Sequence, residues 1–240
     1  MPVSSTISPP QHIIWDWNGT LLDDTETCVQ ALNRCLADRS IKPVTCADYR
    51  DLFCFPVRDY YRMLGMSCSD SEWENLTAEF HQHYAELSRS TPLREGVSSI
   101  LPALREKNIG MSVLSASESS LLNRMLTQRN ISEHFQHICG LNNFHAHSKI
   151  EIGARLLEKI NIPSDHIMLV GDTTHDFDVA MKLDCRCLLV AGGHQSNRRL
   201  NKCGCKVISR PPEILSFLNN SHYRESEQTL EGVIHEPLLP

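Results

Sequence analysis

Charged and hydroxyl side chains follow several short apolar runs of this sequence, and their types could support chemistry on an anion. Asp16 follows IIW, Ser115 follows MSVL, and Asp172 and Asp176 follow IMLVG in the segment GDTTHDFD. Lys149 opens an amphipathic segment after FHAHS. Carboxylates bind hard cations such as Mg²⁺, and a lysine can hold a negatively charged oxygen. These five side chains are therefore candidates for a metal-dependent site.

Each of these residues, taken alone, also has a purely structural interpretation. An aspartate at the end of a strand is usually a turn residue, and a serine before a helix is usually its N-cap. An acidic pair four residues apart more often caps a helix than binds a metal, and a lysine at a helix start is usually solvated. Their occurrence in order on successive strands of one parallel sheet favours a shared site, because such sheets bind ligands at the carboxyl ends of their strands.

The elements that would position these residues alternate along the second half of the chain. Short apolar strands and amphipathic helices follow one another from residue 109, which predicts a parallel α/β sheet. The predicted strands are 12–16, 109–115, 137–140, 167–171, 186–191 and 206–208. Ser117 is predicted as the N-cap of the helix that follows the second strand. This arrangement brings the candidate residues to one edge of the sheet.

The chain divides into three predicted parts. Residues 11–22 and 93–220 form the α/β core, and the helical patterns between them predict an inserted cap over 23–92. A compact core does not carry an insertion of this length as loop alone. Residues 221–240 are polar and lack an amphipathic period, so we expect a flexible tail.

Four short segments together resemble the motifs of the haloacid dehalogenase superfamily. They are DWNGT from Asp16, VLS ending at Ser115, Lys149, and GDTTHD from Gly171. The chain is similar to a phosphoglycolate-phosphatase-like member of that superfamily with a helical cap. The resemblance covers about residues 12–218 and implies a three-layer α/β/α Rossmann-like core.

The resemblance also implies a role for each matching residue. Asp16 would attack phosphorus and carry a phospho-aspartyl intermediate, which divides the displacement into two steps. The implied Mg²⁺ ligands are Asp16, Asp172, Asp176 and the backbone carbonyl of Asn18. The implied phosphate-binding residues are Gly19, Thr20, Ser115, Ala116 and Lys149. The substrate would be a small phosphorylated metabolite.

Asn18 departs from the family pattern, which has an aspartate at this position. An amide keeps its backbone carbonyl for a metal but cannot transfer a proton, and general acid–base help is typically worth 10²–10⁴-fold. Three explanations stay open. The leaving group needs no acid, His147 or His175 supplies the proton, or the chain is a slow or silent relative that binds phosphate.

Two further segments are candidates for the substrate side of the site. Arg58, in the cap segment LFCFPVRDYYRMLG, could pair with a second anionic group of the substrate, although a surface role is equally compatible with the pattern. The glycine-rich loop GGHQSNRR, beginning at Gly192, is expected to border the site from the other side.

Composition excludes several other classes of protein. The 240 residues carry a formal charge of −6, which argues against nucleic-acid and anionic-membrane partners. No stretch approaches the ~20 apolar residues of a membrane span, and the N-terminus lacks the pattern of a secretory signal. We therefore expect a cytoplasmic protein whose ten cysteines are reduced. The CxC pairs that begin at Cys185 and Cys203 lack zinc-ribbon spacing, so they are predicted to be core residues.

The sequence thus predicts a Mg²⁺-dependent phosphatase that acts on a small, phosphoglycolate-like metabolite. The alternative is a catalytically weak or silent phosphate-binding or regulatory protein, because Asn18 replaces the general acid.

Overall fold

Six parallel strands form the sheet of this protein in a computed structural model that describes residues 8–141 and 149–219. The strands are β1 (His12–Trp15), β2 (Gly110–Glu118), β3 (His137–Leu141), β4 (Ile167–Gly171), β5 (Arg186–Val190) and β6 (Lys206–Ile208). Their order across the sheet is β3-β2-β1-β4-β5-β6. This order places β1 between β2 and β4, so the strands that end at Asp16, Ser115 and Asp172 are neighbours.

Ten helices connect or cover these strands in the described residues. They are α1 (Thr25–Ala37), α2 (Cys46–Leu52), α3 (Val57–Met63), α4 (Asp70–Leu87), α5 (Val97–Glu106), α6 (Ser119–Gln128), α7 (Lys149–Ile160), α8 (Thr174–Lys182), α9 (Asn197–Leu200) and α10 (Glu213–Asn219). Short 3₁₀ turns occur at Ser88–Ser90, Ser132–His134 and Ser164–His166. Among the described residues, no helix is long and apolar enough to cross a membrane.

The sheet lies between two layers of helices, as predicted. Side chains alternate across a strand, and in β1 Ile13 and Trp15 join the apolar cluster that contains residues of α5 and α6. Ile14 points to the opposite face and joins the cluster that contains Leu156 of α7 and Val179 of α8. The strands are buried on both faces, which is why they read as continuous apolar runs. The three-layer α/β/α fold is confirmed.

The predicted strands match the observed ones closely, except at the end of β2. This strand continues to Glu118, so Ser117 lies within it and is not the N-cap of α6. Glu118 caps α6 instead, and its carboxylate accepts hydrogen bonds from the backbone N–H groups of Ser120 and Leu121, both at 2.8 Å. The wrong prediction arose because serine and glutamate can both accept from the first turn of a helix.

Helices α1–α4 lie in the segment predicted as a cap, which we call the cap segment (residues 23–92). They pack around an apolar cluster of their own that includes Leu32, Tyr60 and Leu76. The two ends of the cap segment lie side by side. The Asp23 N–H donates to the Pro92 carbonyl at 3.0 Å, and the Arg94 N–H donates to the Leu21 carbonyl at 2.9 Å.

The CxC cysteines lie in or against the core, as predicted. Cys185 and Cys187 are buried in the cluster under α7 and α8, and Cys203 and Cys205 pack against it. All four are free thiols. The predicted flexible tail lies outside the described residues.

Candidate active site

Three buried carboxylates meet at the carboxyl ends of β1 and β4. Asp16 follows β1, Asp172 follows β4, and Asp176 lies in the first turn of α8. Their relative exposures are 8%, 0% and 2%, and one oxygen of each lies within 4.8 Å of the others. We call these residues the acidic cluster. The parallel pairing of β1 with β4 explains why residues 156 positions apart in the chain can share one site.

Lys149, the first residue of α7, connects two members of the acidic cluster. Its ammonium donates to Asp16 Oδ1 and to Asp176 Oδ1, both at 2.6 Å, and the residue is 6% exposed. Burial alone would lower the pKa of Lys149, but the two carboxylates outweigh burial and raise it. Lys149 is therefore a fixed positive charge beside the predicted nucleophile.

Charge in the acidic cluster is not balanced by Lys149. Burial, together with repulsion from Asp176 and Asp172, raises the pKa of Asp16 to about 8 although Lys149 acts in the other direction. Burial also raises the pKa of Asp172. Ionising all three carboxylates would therefore leave more negative charge than the one ammonium compensates.

A divalent cation would fit this imbalance. Carboxylate oxygens are the ligands that Mg²⁺ prefers, and a second positive charge nearby lowers the cost of ionising Asp16. Asp176 is the least available ligand, because its Oδ1 accepts from Lys149 and its Oδ2 accepts from the Thr173 N–H and hydroxyl at 3.0 and 2.7 Å. The bond from the Thr173 N–H is half of the capping box of α8, and the Asp176 N–H donates to the Thr173 hydroxyl in the other half. The Lys149 charge, with the bonds from Lys149 and Thr173, lowers the pKa of Asp176 against the effect of burial. Asp16 and Asp172 are the direct ligands that the geometry favours.

Asp172 lies in a narrow space between two backbone segments. Its Oδ1 accepts from the Thr20 hydroxyl at 2.7 Å, and its Oδ2 accepts from the His194 N–H at 2.6 Å. A Cβ at Gly19 would lie 2.3 Å from Asp172 Oδ2, and one at Gly193 would lie 2.1 Å from it. Only glycine allows this approach, and Gly19 also has φ +71°. The loop GGHQSNRR thus borders the site, as predicted.

The predicted phosphate-binding residues lie around Asp16, but not all of them are free for an anion. Ser115 is buried, and its Oγ accepts from the Ser117 N–H at 3.0 Å. Ala116 follows it in β2. The Gly19 N–H was predicted to face phosphate, whereas in the structure it donates to Asp24 Oδ1 at 2.7 Å. The Gly19 N–H has this partner because the Asp24 carboxylate turns back towards the end of β1.

Asn18 lies in a hydrogen-bond network that the sequence did not reveal. Its amide donates to Asp24 Oδ2 at 2.7 Å and to the Tyr84 hydroxyl at 2.8 Å, and its carbonyl oxygen accepts from the Ser117 hydroxyl at 2.7 Å. His194 Nε2 lies 3.2 Å from Asp24 Oδ1. We call these five residues the amide network. It joins α4 of the cap segment to the ends of β1 and β2.

The amide network balances its own charge. Burial alone would raise the pKa of Asp24, but His194 and the hydrogen bonds from Asn18 and Tyr84 outweigh it and lower that pKa. Burial alone would lower the pKa of His194, yet Asp24, Asp172 and Asp16 raise it to about 9. His194 Nδ1 also lies 3.0 Å from the Tyr49 hydroxyl. Asp24 and His194 thus form a buried ion pair.

Two of the remaining predicted residues are not brought to the acidic cluster. The Arg58 guanidinium donates to the Cys68 carbonyl at 3.0 Å and to Asp70 Oδ1 at 2.7 Å, both in the cap segment. The His175 ring stacks on Phe55 at 4.5 Å, and burial lowers its pKa. His147 lies outside the described residues.

Comparisons with known proteins agree with this fold. A family model described as haloacid dehalogenase-like hydrolase matches residues 13–190. Tyrosine-protein kinase PtkA from Mycobacterium tuberculosis strain H37Rv is 24% identical over 213 residues, which are 88% of this chain and 72% of that protein. A phosphoglycolate phosphatase from Synechococcus elongatus is 23% identical over 218 residues, 85% of this chain and 95% of that protein. A solved haloacid dehalogenase-like hydrolase from Streptococcus pneumoniae has a TM-score of 0.76 at 17% identity, covering 89% of this chain and 99% of that one.

Proposed function

The chain belongs to the haloacid dehalogenase-like hydrolases, and from this premise we propose that it is a Mg²⁺-dependent phosphatase acting on a small phosphorylated metabolite. The observation that carries the proposal is the position of Asp16. Its carboxylate is fixed by Lys149 at 2.6 Å beside Asp172 and Asp176, in a site with excess negative charge. A phosphate monoester also brings negative charge, so such a site suits it only together with a cation.

The proposed first step is an attack of an Asp16 carboxylate oxygen on phosphorus. The bond between phosphorus and the leaving oxygen breaks, that oxygen takes up a proton, and the phosphoryl group stays on Asp16 as an acyl phosphate. Lys149 and the Ser115 hydroxyl hold the remaining phosphoryl oxygens. A bound Mg²⁺ would supply neutralisation of charge between the carboxylate and the phosphate.

The proposed second step returns the site to its starting state. A water molecule attacks the acyl phosphate, inorganic phosphate leaves, and the Asp16 carboxylate is regenerated. Positioning and electrostatics account for most of the catalysis in both steps, so a rigid site is valuable. The ion pairs of Lys149 and the hydrogen bond from Thr20 to Asp172 at 2.7 Å provide that rigidity.

We assign no proton transfer to Asn18 in either step. Its amide has no proton to give at neutral pH, and both polar atoms of its side chain are already hydrogen-bonded to Asp24, Tyr84 and Ser117. This favours substrates whose leaving oxygen needs little protonation or receives it from solvent. The phosphoglycolate phosphatase that this chain resembles places a small carboxylate-bearing ester among the first candidates.

We further propose that residues 23–92 act as a cap over the phosphate site. The Asn18 amide donates to the Tyr84 hydroxyl of α4 at 2.8 Å, and the Arg50 side chain of α2 donates to the Gly193 carbonyl at 2.9 Å. Both contacts join the cap segment to residues beside the acidic cluster, which supports a cap over this edge of the sheet. A substrate enclosed there would be shielded from water during phosphoryl transfer.

The test is release of inorganic phosphate from a panel of phosphorylated metabolites that includes phosphoglycolate, with p-nitrophenyl phosphate as a reference ester. We expect turnover that requires Mg²⁺ and is abolished by EDTA. Turnover by metal-free protein would contradict the proposal. Binding of inorganic phosphate with no turnover of any ester in Mg²⁺ would instead support the silent phosphate-binding alternative.

A further inference from the structure

The hydrogen-bond directions around Asn18 specify an amide at this position. The Tyr84 hydroxyl donates to Asp24 Oδ2 at 2.7 Å, so the same hydroxyl can only accept from Asn18. Asp24 Oδ2 also accepts from Asn18. Residue 18 must therefore donate twice on one side and accept from Ser117 on the other. Asparagine has these donors and this acceptor, whereas an ionised aspartate has no donor.

An aspartate at position 18 would also conflict with Asp24. The two side chains are 2.7 Å apart, and two carboxylates at that separation cannot both be ionised without a large cost. Asp24 is fully buried and held as a carboxylate by His194 and the Gly19 N–H. A carboxylate is therefore present at Asp24, six residues after position 18, and the Asn18 amide donates a hydrogen bond to it.

The amide network reaches the phosphate site through β2. The Ser117 hydroxyl donates to Asn18 Oδ1 at 2.7 Å, and the Ser117 N–H donates to Ser115 Oγ at 3.0 Å. Because Ser115 Oγ already accepts from the backbone, its own O–H is left to donate to a bound anion. The orientation of this hydroxyl therefore depends on where Ser117 is held, and Ser117 is held by Asn18.

We infer that Asn18 is a positioning residue whose amide is complementary to the Asp24 carboxylate. It links the position of α4 to the orientation of the phosphate-binding Ser115 hydroxyl. The coupling runs from Tyr84 to Asn18, then to Ser117 and Ser115. It rests on the proposed function for its catalytic consequence. The same pairing of Asn18 with Asp24 has a consequence for folding that does not depend on any activity.

The experiment is an exchange of the two side chains. Asn18→Asp, Asp24→Asn and the double variant are compared with wild type for kcat and KM on p-nitrophenyl phosphate in Mg²⁺. This ester has a good leaving group, so an added acid at position 18 gains little. We expect each single variant to lose about ten- to hundredfold in kcat/KM, and the double variant to recover most of the loss, since the amide and the carboxylate have only exchanged places.

Two controls separate a positioning role from a general loss of structure. Asp23→Asn makes the same chemical change at an exposed neighbour and should leave kcat/KM at the wild-type value. Tyr84→Phe removes one hydroxyl and keeps the ring in its place. It should weaken the binding of inorganic phosphate measured by titration calorimetry, which reports on Ser115 without requiring turnover.

Three results would overturn the inference. They are an Asn18→Asp variant as active as wild type or more so, a double variant no better than the single ones, and an unchanged affinity for inorganic phosphate in Tyr84→Phe. If wild type itself has no turnover, the proposed function fails, but thermal unfolding still tests the pairing. The single variants should then unfold at lower temperature than both wild type and the double variant, and equal lowering in all three would refute it.

Discussion

The acidic cluster and the amide network meet at the same edge of the sheet, yet they treat buried charge in opposite ways. In the acidic cluster, three carboxylates face one ammonium, and the pKa of Asp16 is raised to about 8. In the amide network, Asp24 faces His194, and the pKa of Asp24 is lowered. A region with unbalanced charge needs a ligand to complete it, whereas a balanced region is complete in the folded chain. The first is suited to binding and reaction, and the second to holding parts in place.

The largest expected effect is on turnover. Asp16→Asn removes the proposed nucleophile while keeping the size of the side chain and its contact with Lys149. We expect phosphate release to fall to the uncatalysed background, with the circular dichroism spectrum of the wild type. Activity near the wild-type level in this variant would show that Asp16 does not carry the phosphoryl group.

The next effect is on stability and has opposite signs in the two regions. Asp24→Asn removes one partner of a buried ion pair and should cost about 3 kcal/mol of unfolding free energy. Asp16→Asn removes an acid whose ionisation is disfavoured by burial and by its neighbours, so without divalent cations it should raise the melting temperature by roughly 2–4 °C per kcal/mol gained. Calorimetry in EDTA measures both. Shifts of the same sign would mean that the two regions do not differ in charge balance.

The dependence of stability on pH should also have two parts, one from the amide network and one from the acidic cluster. The folded pKa of His194 is raised to about 9 from 6.5, so its contribution is fully present below pH 6.5 and lost as pH rises through 9. The folded pKa of Asp16 is raised from 3.8 to about 8, so the folded state binds more protons and stability falls as pH rises between these values. Melting temperatures from pH 4 to pH 10 in EDTA should show both declines. His194→Gln should remove only the decline in stability that ends near pH 9. Asp16→Asn should remove only the decline between pH 3.8 and about 8.

The smallest expected effect is at Arg58. Its ion pair with Asp70 is at the surface, since the Asp70 side chain is 95% exposed, and such pairs are worth about 0–1 kcal/mol. Arg58→Ala should therefore lower stability by no more than about 1 kcal/mol and leave KM unchanged for every substrate. A rise in KM limited to substrates with a second anionic group would show that Arg58 contacts the substrate.

The acidic cluster could be predicted from the sequence because its members are fixed by strand order. Asp16 and Asp172 each follow a buried apolar run, and parallel strands bring their carboxyl ends together. Lys149 and Ser115 follow from the same rule. The short apolar strands and the amphipathic helices between them predicted a parallel α/β sheet, and the resemblance to the haloacid dehalogenase superfamily implied its three layers.

The amide network could not be predicted in this way. Tyr84 lies 60 residues from Asp24 in a helix whose apolar pattern explains a tyrosine as a packing residue. Its hydroxyl reaches Asp24 only because α4 packs against α1, whose N-cap is Asp24, and no local pattern encodes that placement. For His194 there was one weak indication in the sequence, the glycine pair that precedes it. Gly193 allows the loop to approach Asp172 closely. The unusual residue at position 18 was visible, but its explanation at position 24 required the fold.

The chain enters and leaves the cap segment at one place, where Leu22 and Leu93 form an antiparallel bridge. Hydrogen bonds from Asp23 to Pro92 and from Arg94 to Leu21 fix both crossings. An insert whose two ends already meet places little constraint on the sheet that carries it, so its length and sequence can change at low cost to the core. Such an insert can be replaced during evolution as one continuous segment. The sequence of the cap segment can then diverge while the sheet that carries Asp16 and Asp172 stays unchanged.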